Sequence, residues 1–101
     1  MVICLSHSGT WLDKNISEDE ILAKSVPGID LIISGHTHSV LNQYIRAGNT
    51  YIVSCGAYGR YLGSLTLARN PDRTFRALDY RLMPVTSALP QDPEISGLEI
   101  V

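Results

Sequence analysis

Long hydrophobic runs are missing from this sequence. The most apolar stretches, Leu31-Ile32-Ile33 and Ile52-Val53, fall far short of the roughly 20 residues needed to cross a bilayer, so no membrane partner is expected. Basic runs are missing too. Eight Lys and Arg stand against ten Asp and Glu, a formal charge of -2 spread along the chain, which gives no electrostatic footing for nucleic acid. Cysteine is confined to Cys4 and Cys55 without CxxC spacing, so a disulfide framework is excluded and both read as buried free thiols. The opening residues Met1 to Leu5 lack a positively charged n-region and do not read as a signal peptide. No Gly-x-Ser-x-Gly elbow occurs. Gly56-Ala57-Tyr58-Gly59-Arg60-Tyr61-Leu62-Gly63 is glycine-rich, but no Gly-Lys-Ser/Thr closes it and it reads as a turn into a strand rather than a phosphate-cradling loop. What remains, 45% hydrophobic and 18% charged over 101 residues, is an ordinary globular balance for one core.

Val2-Ile3-Cys4-Leu5 and Ile29-Asp30-Leu31-Ile32-Ile33-Ser34 are short apolar runs rich in β-branched residues, as expected of strands covered on both faces. Between them Ser17 precedes Glu20 by three positions, the spacing of a capping box, and a helix of two or three turns is predicted to run on to Val26-Pro27-Gly28. A strand-helix-strand unit this short implies parallel strands whose C-terminal ends share one sheet edge, where open α/β sheets place their ligands. Four further strands are predicted over Val40 to Ile45, Thr50 to Ser54, Tyr61 to Ala68 and Thr74 to Leu82. The last two are joined by an Asn70-Pro71-Asp72-Arg73 hairpin turn and alternate polar with apolar residues, as a half-solvated meander does. The expected fold is therefore α/β: a strand-helix-strand unit followed by a mostly antiparallel meander through residue 83. Residues 84–101 hold Pro84, Pro90 and Pro93 without periodicity and read as a linker or tail with one helical turn near Asp92-Pro93-Glu94.

All three histidines, His7, His36 and His38, fall in the loops after those first two strands. Neutral imidazoles converging there suit zinc, iron, copper, nickel or manganese. If residues 35–39 are extended, His36 and His38 point to the same side, and Gly35 lets the backbone approach closely. The hydroxyls of Ser6, Ser8, Ser34, Thr37 and Ser39 are candidates to fix the imidazole tautomers. A nucleophilic pairing of Ser6 or Ser8 with His7 is disfavoured, because side chains adjacent on an extended chain diverge.

The segments Leu5-Ser6-His7-Ser8-Gly9, Val26-Pro27-Gly28-Ile29-Asp30-Leu31-Ile32-Ile33-Ser34-Gly35-His36-Thr37-His38 and Gly56 to Gly63, in that order, resemble the calcineurin-like metallophosphoesterases, in the 5'-nucleotidase and UDP-sugar hydrolase branch. The resemblance covers about Val2 to Leu82. It implies a metal core between helices, with His7 and His36 ligating one ion and His38 a second, and two divalent ions such as Zn, Mn or Fe in the complete enzyme. The implied reaction is hydrolysis of a nucleotide or related phosphomonoester, a small-molecule substrate. The family's Asp-x-His, Gly-Asp-x-x-Asp and Gly-Asn-His-Asp/Glu motifs are absent here, so residues 1–83 are expected to be the C-terminal half of a catalytic domain. That half is expected to be inactive alone, with no catalytic residue of its own and about one ion bound at most. The alternative is a non-catalytic metal-binding or interaction module completed by another chain, with self-association through exposed strand edges. Members of this branch are often periplasmic, cell-surface or secreted.

Overall fold

The fold was described from a computed structural model covering residues 1–98. Its elements run β1 (Ile3–Ser6), α1 (Glu18–Ser25), β2 (Leu31–Ser34), β3 (Ile45–Ala47), β4 (Thr50–Val53), β5 (Tyr61–Arg69), β6 (Phe75–Pro84) and α2 (Pro93–Ser96). Four strands form one sheet in the order β1-β2-β4-β3, and β5 and β6 form a separate antiparallel hairpin. β1 and β2 are parallel neighbours in register, Ile3 beside Leu31 through Ser6 beside Ser34, as the short strand-helix-strand pattern requires. The α/β class and the antiparallel hairpin also agree with expectation.

Two details of the middle segment differ. β4 joins β2 in parallel, Leu31 beside Tyr51, so a third strand of the core sheet ends on the same edge as β1 and β2. Val40 to Ile45 is not a continuous strand: Val40 makes a lone bridge to Cys55, and regular pairing begins only at Ile45. The Leu41 N–H to Ser54 carbonyl and Gly56 N–H to Ser39 carbonyl bonds close that bridge, and the Leu41 carbonyl accepts from the Tyr80 hydroxyl rather than from a neighbouring strand.

The core lies on one face of the sheet. Ile32 and Ile52 are fully buried there with Ala23 of α1 and Ala47 of β3, and Cys4, Leu22, Ile29 and Ile45 pack around them. Burying each isoleucine contributes about 1.5–3 kcal/mol, enough to hold α1, whose own eight residues are too few for a stable isolated helix. Strand alternation puts Ile3, Leu5, Leu31, Ile33, Tyr51 and Val53 on the opposite face. Tyr51 is buried there, its hydroxyl donating to the Phe75 carbonyl at 3.1 Å and accepting from the Ala77 N–H at 3.1 Å, which tethers the hairpin. Ile3, Leu5 and Ile33 remain 51%, 79% and 43% exposed. β1 is thus an edge strand open on one face, not one covered on both.

The start of α1 does not form the predicted capping box. The Ser17 hydroxyl accepts from the Trp11 N–H at 3.0 Å and donates to Glu20 Oε1 at 2.7 Å, so it caps no amide of the helix itself. The Asp19 N–H finds the Gly9 carbonyl instead, at 3.0 Å. Burial opposes the Glu20 charge, but hydrogen bonds from Lys14 and Ser17 and the charges of Lys14 and Lys24 outweigh it and hold its pKa below the ordinary value.

At the far end of the hairpin, residues Asn70 to Thr74 make the turn: the Asn70 N–H bonds the Thr74 carbonyl and Asp72 accepts from the Thr74 hydroxyl at 2.6 Å. A bulge at Leu78 lets Thr66 face Asp79 while Leu67 faces Ala77. In the tail, Asp92 caps α2 by accepting from the Glu94 and Ile95 N–H groups, which matches the expected helical turn; the end of the proposed tail, residues 99–101, lies outside the described residues. Cys4 is half-buried and Cys55 exposed, both free, so only the first approaches the buried state expected of it. No helix among the described residues is long and apolar enough to cross a membrane.

Candidate metal centre

The sheet edge formed by the ends of β1, β2 and β4 gathers three loops. His7 follows Ser6 directly, and His36 follows Ser34 by two residues. Because the two strands are adjacent, parallel and in register, the rings meet: His36 Nδ1 lies 3.2 Å from His7 Nε2, with ring centroids 4.9 Å apart and planes at 61°. Both side chains reach solvent.

This pair fits a transition-metal ion. Two imidazole nitrogens bound to a tetrahedral ion at roughly 2.0–2.1 Å lie about 3.3 Å from each other, close to the observed 3.2 Å. Both nitrogens are intermediate donors suited to zinc and its first-row neighbours. Without an ion the same gap is a hydrogen bond from one ring to the other. Among the described residues no Cys, Asp, Glu or third His joins the pair to complete a larger ligand cluster.

His38 does not join that pair. The expectation of an extended segment fails, because His36 and His38 both adopt left-handed backbone, at φ 74° and 55°. The chain therefore coils after β2, and the His38 ring packs edge-on against Tyr58 at 5.3 Å between centroids. Tyr58 lies in the loop after β4, itself at φ 62°, with the Arg60 guanidinium 5.8 Å from its ring centroid. Residues other than glycine held in this region carry strain of about 1–3 kcal/mol each, and such strain concentrates where side chains must be aimed.

The loops are locked together below the rings. Thr10 donates from its N–H to Thr37 Oγ1 at 3.3 Å and from its hydroxyl to Ser39 Oγ at 3.1 Å, and Thr37 and Ser39 share a 2.7 Å bond. Gly9, at φ 93°, faces Thr37 so closely that any side chain there would collide with it, whereas a methyl group at Gly35 would meet only ordinary contacts with His7 and Ser6. The close approach expected at Gly35 is thus made at Gly9. Nor do Ser6, Ser8, Ser34, Thr37 and Ser39 fix the imidazole tautomers: among the described residues none of them bonds a histidine. Ser6 and Ser34 donate to Asp19 instead, which ties up both of those hydroxyls.

Asp19 and Tyr58 went unread in the sequence as site-related residues. The signal for Tyr58 is partial: Thr50-Tyr51-Ile52-Val53 is as apolar and as abruptly ended as the first two strands, but only a parallel pairing, which the sequence does not state, brings the loop after it to the same edge.

No family model matches the chain. It is 37% identical over 70 residues to the trifunctional nucleotide phosphoesterase protein YfkN of Bacillus subtilis (strain 168), a match covering 66% of this chain and 4% of that protein. The snake venom 5'-nucleotidase of Crotalus adamanteus is 31% identical over 84 residues, 65% of this chain and 13% of its own. Among solved structures, the sulfate thiohydrolase SoxB of Thermus thermophilus, in complex with glycerol, superposes with a TM-score of 0.59 at 29% identity over 78% of this chain and 15% of that one. A putative 5'-nucleotidase from Staphylococcus aureus, at 19% identity, shares the fold with a TM-score of 0.55 over 90% of this chain and 18% of its own. The chain therefore spans only a small part of the length of each protein it matches. Histidine-bearing loops on a parallel sheet edge, with these matches in sequence and fold, identify the chain as belonging to the calcineurin-like metallophosphoesterases, on their 5'-nucleotidase branch.

Proposed function

We propose that these residues supply part of a two-metal phosphoesterase centre that hydrolyses nucleotides or related phosphomonoesters, with His7 and His36 ligating one divalent ion and His38 the other. The observation that carries the reading is the convergence of His7 and His36 from neighbouring parallel strands at metal-ligand spacing. Family membership implies divalent ions in general. Zn, Mn or Fe are proposed here, on the nitrogen donors. Such ions, when bound, activate a water and stabilise the oxygens of an in-line phosphoryl displacement. The chain's own residues orient the ligand rings: His36 and His38 are aimed apart by their left-handed backbone, and Tyr58 braces the His38 ring. Residues 1–83 act in this reading as one half of a catalytic domain, the remaining ligands coming from outside them. The venom source of some relatives agrees with the secreted habit implied for the branch.

Zinc titration of the 101-residue chain is expected to show about one ion bound, with binding lost in His36→Ala; equal binding by parent and variant refutes the ligand assignment. Little or no turnover of an aryl phosphate with manganese or zinc is expected from the chain alone, and robust turnover would overturn the reading that further ligands are required. A second reading, an interaction module completed by another chain, is favoured by one observation. β1 is paired on one side only, and Val2, Ile3 and Leu5 are exposed along it, which presents a free strand edge beside apolar surface.

A further inference from the structure

We propose that Asp19 is the positioning residue of the histidine pair, a role that rests on the metal-ligand reading of His7 and His36. Asp19 is completely buried at the second position of α1. Its Oδ1 accepts from the Ser6 hydroxyl at 2.6 Å, and its Oδ2 accepts from the Ser34 hydroxyl at 2.5 Å and from the Gly9 N–H at 3.0 Å. Those three donors bracket the ligands. Ser6 immediately precedes His7, Gly9 follows it by two residues, and Ser34 is the last residue of β2 before Gly35 and His36. One carboxyl group thus ties the end of β1, the loop beyond it and the end of β2 to the start of a single helix. The Gly35 N–H, bonded to the Ser6 carbonyl at 2.9 Å, completes the clasp.

The rings themselves have little else to hold them. His7 and His36 are exposed and bond only each other among the described residues, so the 3.2 Å spacing is inherited from the backbone beneath them. The carboxyl oxygens of Asp19 and the hydroxyls of Ser6 and Ser34 all find partners within the clasp, and such connected buried networks fix a unique local geometry. Asn at this position keeps the shape but turns an amide NH2 toward donors, so at least one of Ser6, Ser34 and Gly9 loses its acceptor. A residue that served only to stabilise the start of α1 would lower stability without altering how the rings meet. Groups that orient metal ligands from behind typically change metal affinity about 10- to 100-fold when removed.

The test compares Asp19→Asn and Ser34→Ala with Ile52→Val and Ile52→Ala, core variants that bracket the loss of stability without touching the clasp. Zinc affinity is measured by calorimetry and the His7–His36 ring contact by nuclear Overhauser effects in the metal-free chain. Asp19→Asn is expected to weaken zinc binding about 10- to 100-fold and to abolish the ring contact, Ser34→Ala to do both in smaller measure, and the Ile52 variants to do neither at equal stability. If Asp19→Asn and Ser34→Ala lose no more affinity or ring contact than Ile52 variants of the same stability, the positioning role is overturned. Failure of the parent reading is separate: zinc binding indifferent to His36→Ala removes the metal assignment, and the ring contact alone then decides whether Asp19 positions the pair.

Discussion

The two faces of the four-stranded sheet are built from equally apolar residues and end up in different states. On one face Ile32 and Ile52 are fully buried beneath α1. On the other their immediate neighbours Ile33 and Val53 line an open cleft of about 390 Å³ between sheet and hairpin, with Leu31, Leu65, Tyr80 and Leu82, while Ile3 and Leu5 face solvent. Protein interiors are packed with few voids larger than a water molecule, so a cleft of this size marks a face that is not closed. The difference teaches that side-chain hydrophobicity sets which positions are able to be core, whereas the presence of a covering element decides which of them are.

Adjacent residues of β2 offer the sharpest way to break that comparison. Ile32→Ala is expected to destabilise the chain by about 2–5 kcal/mol, the usual range for a fully buried isoleucine, which is a large share of the about 5–15 kcal/mol that holds a small domain together. Ile33→Ala, at a position 43% exposed, is expected to change stability by less than about 1 kcal/mol. Urea denaturation of both variants reads the result. Similar losses would mean that the open face is covered in solution after all.

The parts of the fold legible in the sequence are those set by local chemistry. β1 and β2 announce themselves as β-branched runs halted by Ser-His and Ser-Gly-His, and the Asn70 to Arg73 turn by its proline and aspartate. The parallel pairing of β4 was hidden, because its partner β2 lies about twenty residues away and nothing in Thr50-Tyr51-Ile52-Val53 states a direction. The histidine pair was legible as a cluster and not as a geometry: histidine does not announce a left-handed backbone, which at His36 and His38 accompanies the Thr10, Thr37 and Ser39 bonds across the loops. Asp19 was obscured by its neighbours in Ser17-Glu18-Asp19-Glu20. Its one distinguishing mark is position, since it stands four residues before Ala23, the α1 residue buried in the core.

A substitution on the open face sharpens the comparison with a smaller thermodynamic effect. Leu5→Lys puts a charge at a site 79% exposed, on an edge strand. Stability of the single chain should change by no more than about 0.5 kcal/mol. Any self-association through β1 should fall, since lysine on an edge is a common guard against strand addition. Sedimentation velocity across a concentration series measures it: a concentration-dependent species in the parent that persists unchanged in Leu5→Lys would show that copies meet elsewhere.

The smallest effect expected lies on the covered face, at the start of α1. Glu20 accepts from Lys14 at 2.7 Å and from the Ser17 hydroxyl at 2.7 Å. These bonds, with the nearby lysine charges, outweigh burial and hold its pKa below the ordinary 4.5. A carboxyl group with a lowered folded-state pKa adds stability that is complete above its unfolded value and is lost as pH falls through the folded one. The stability difference between the parent and Glu20→Gln should therefore be constant at pH 6 to 7 and shrink only below about pH 4.5, as the carboxylate takes up its proton. Subtracting the variant removes the other carboxyl groups from the comparison. The open face has no such anchor, so Ile33→Ala should leave the pH dependence of the parent unchanged. A parent-minus-Glu20→Gln difference that stays flat down to pH 3 would mean that Lys14 and Ser17 do not hold the helix start, and that α1 is kept on the sheet by the apolar contacts of Ala23 and Leu22 and by the Asp19 bonds to Ser6 and Ser34.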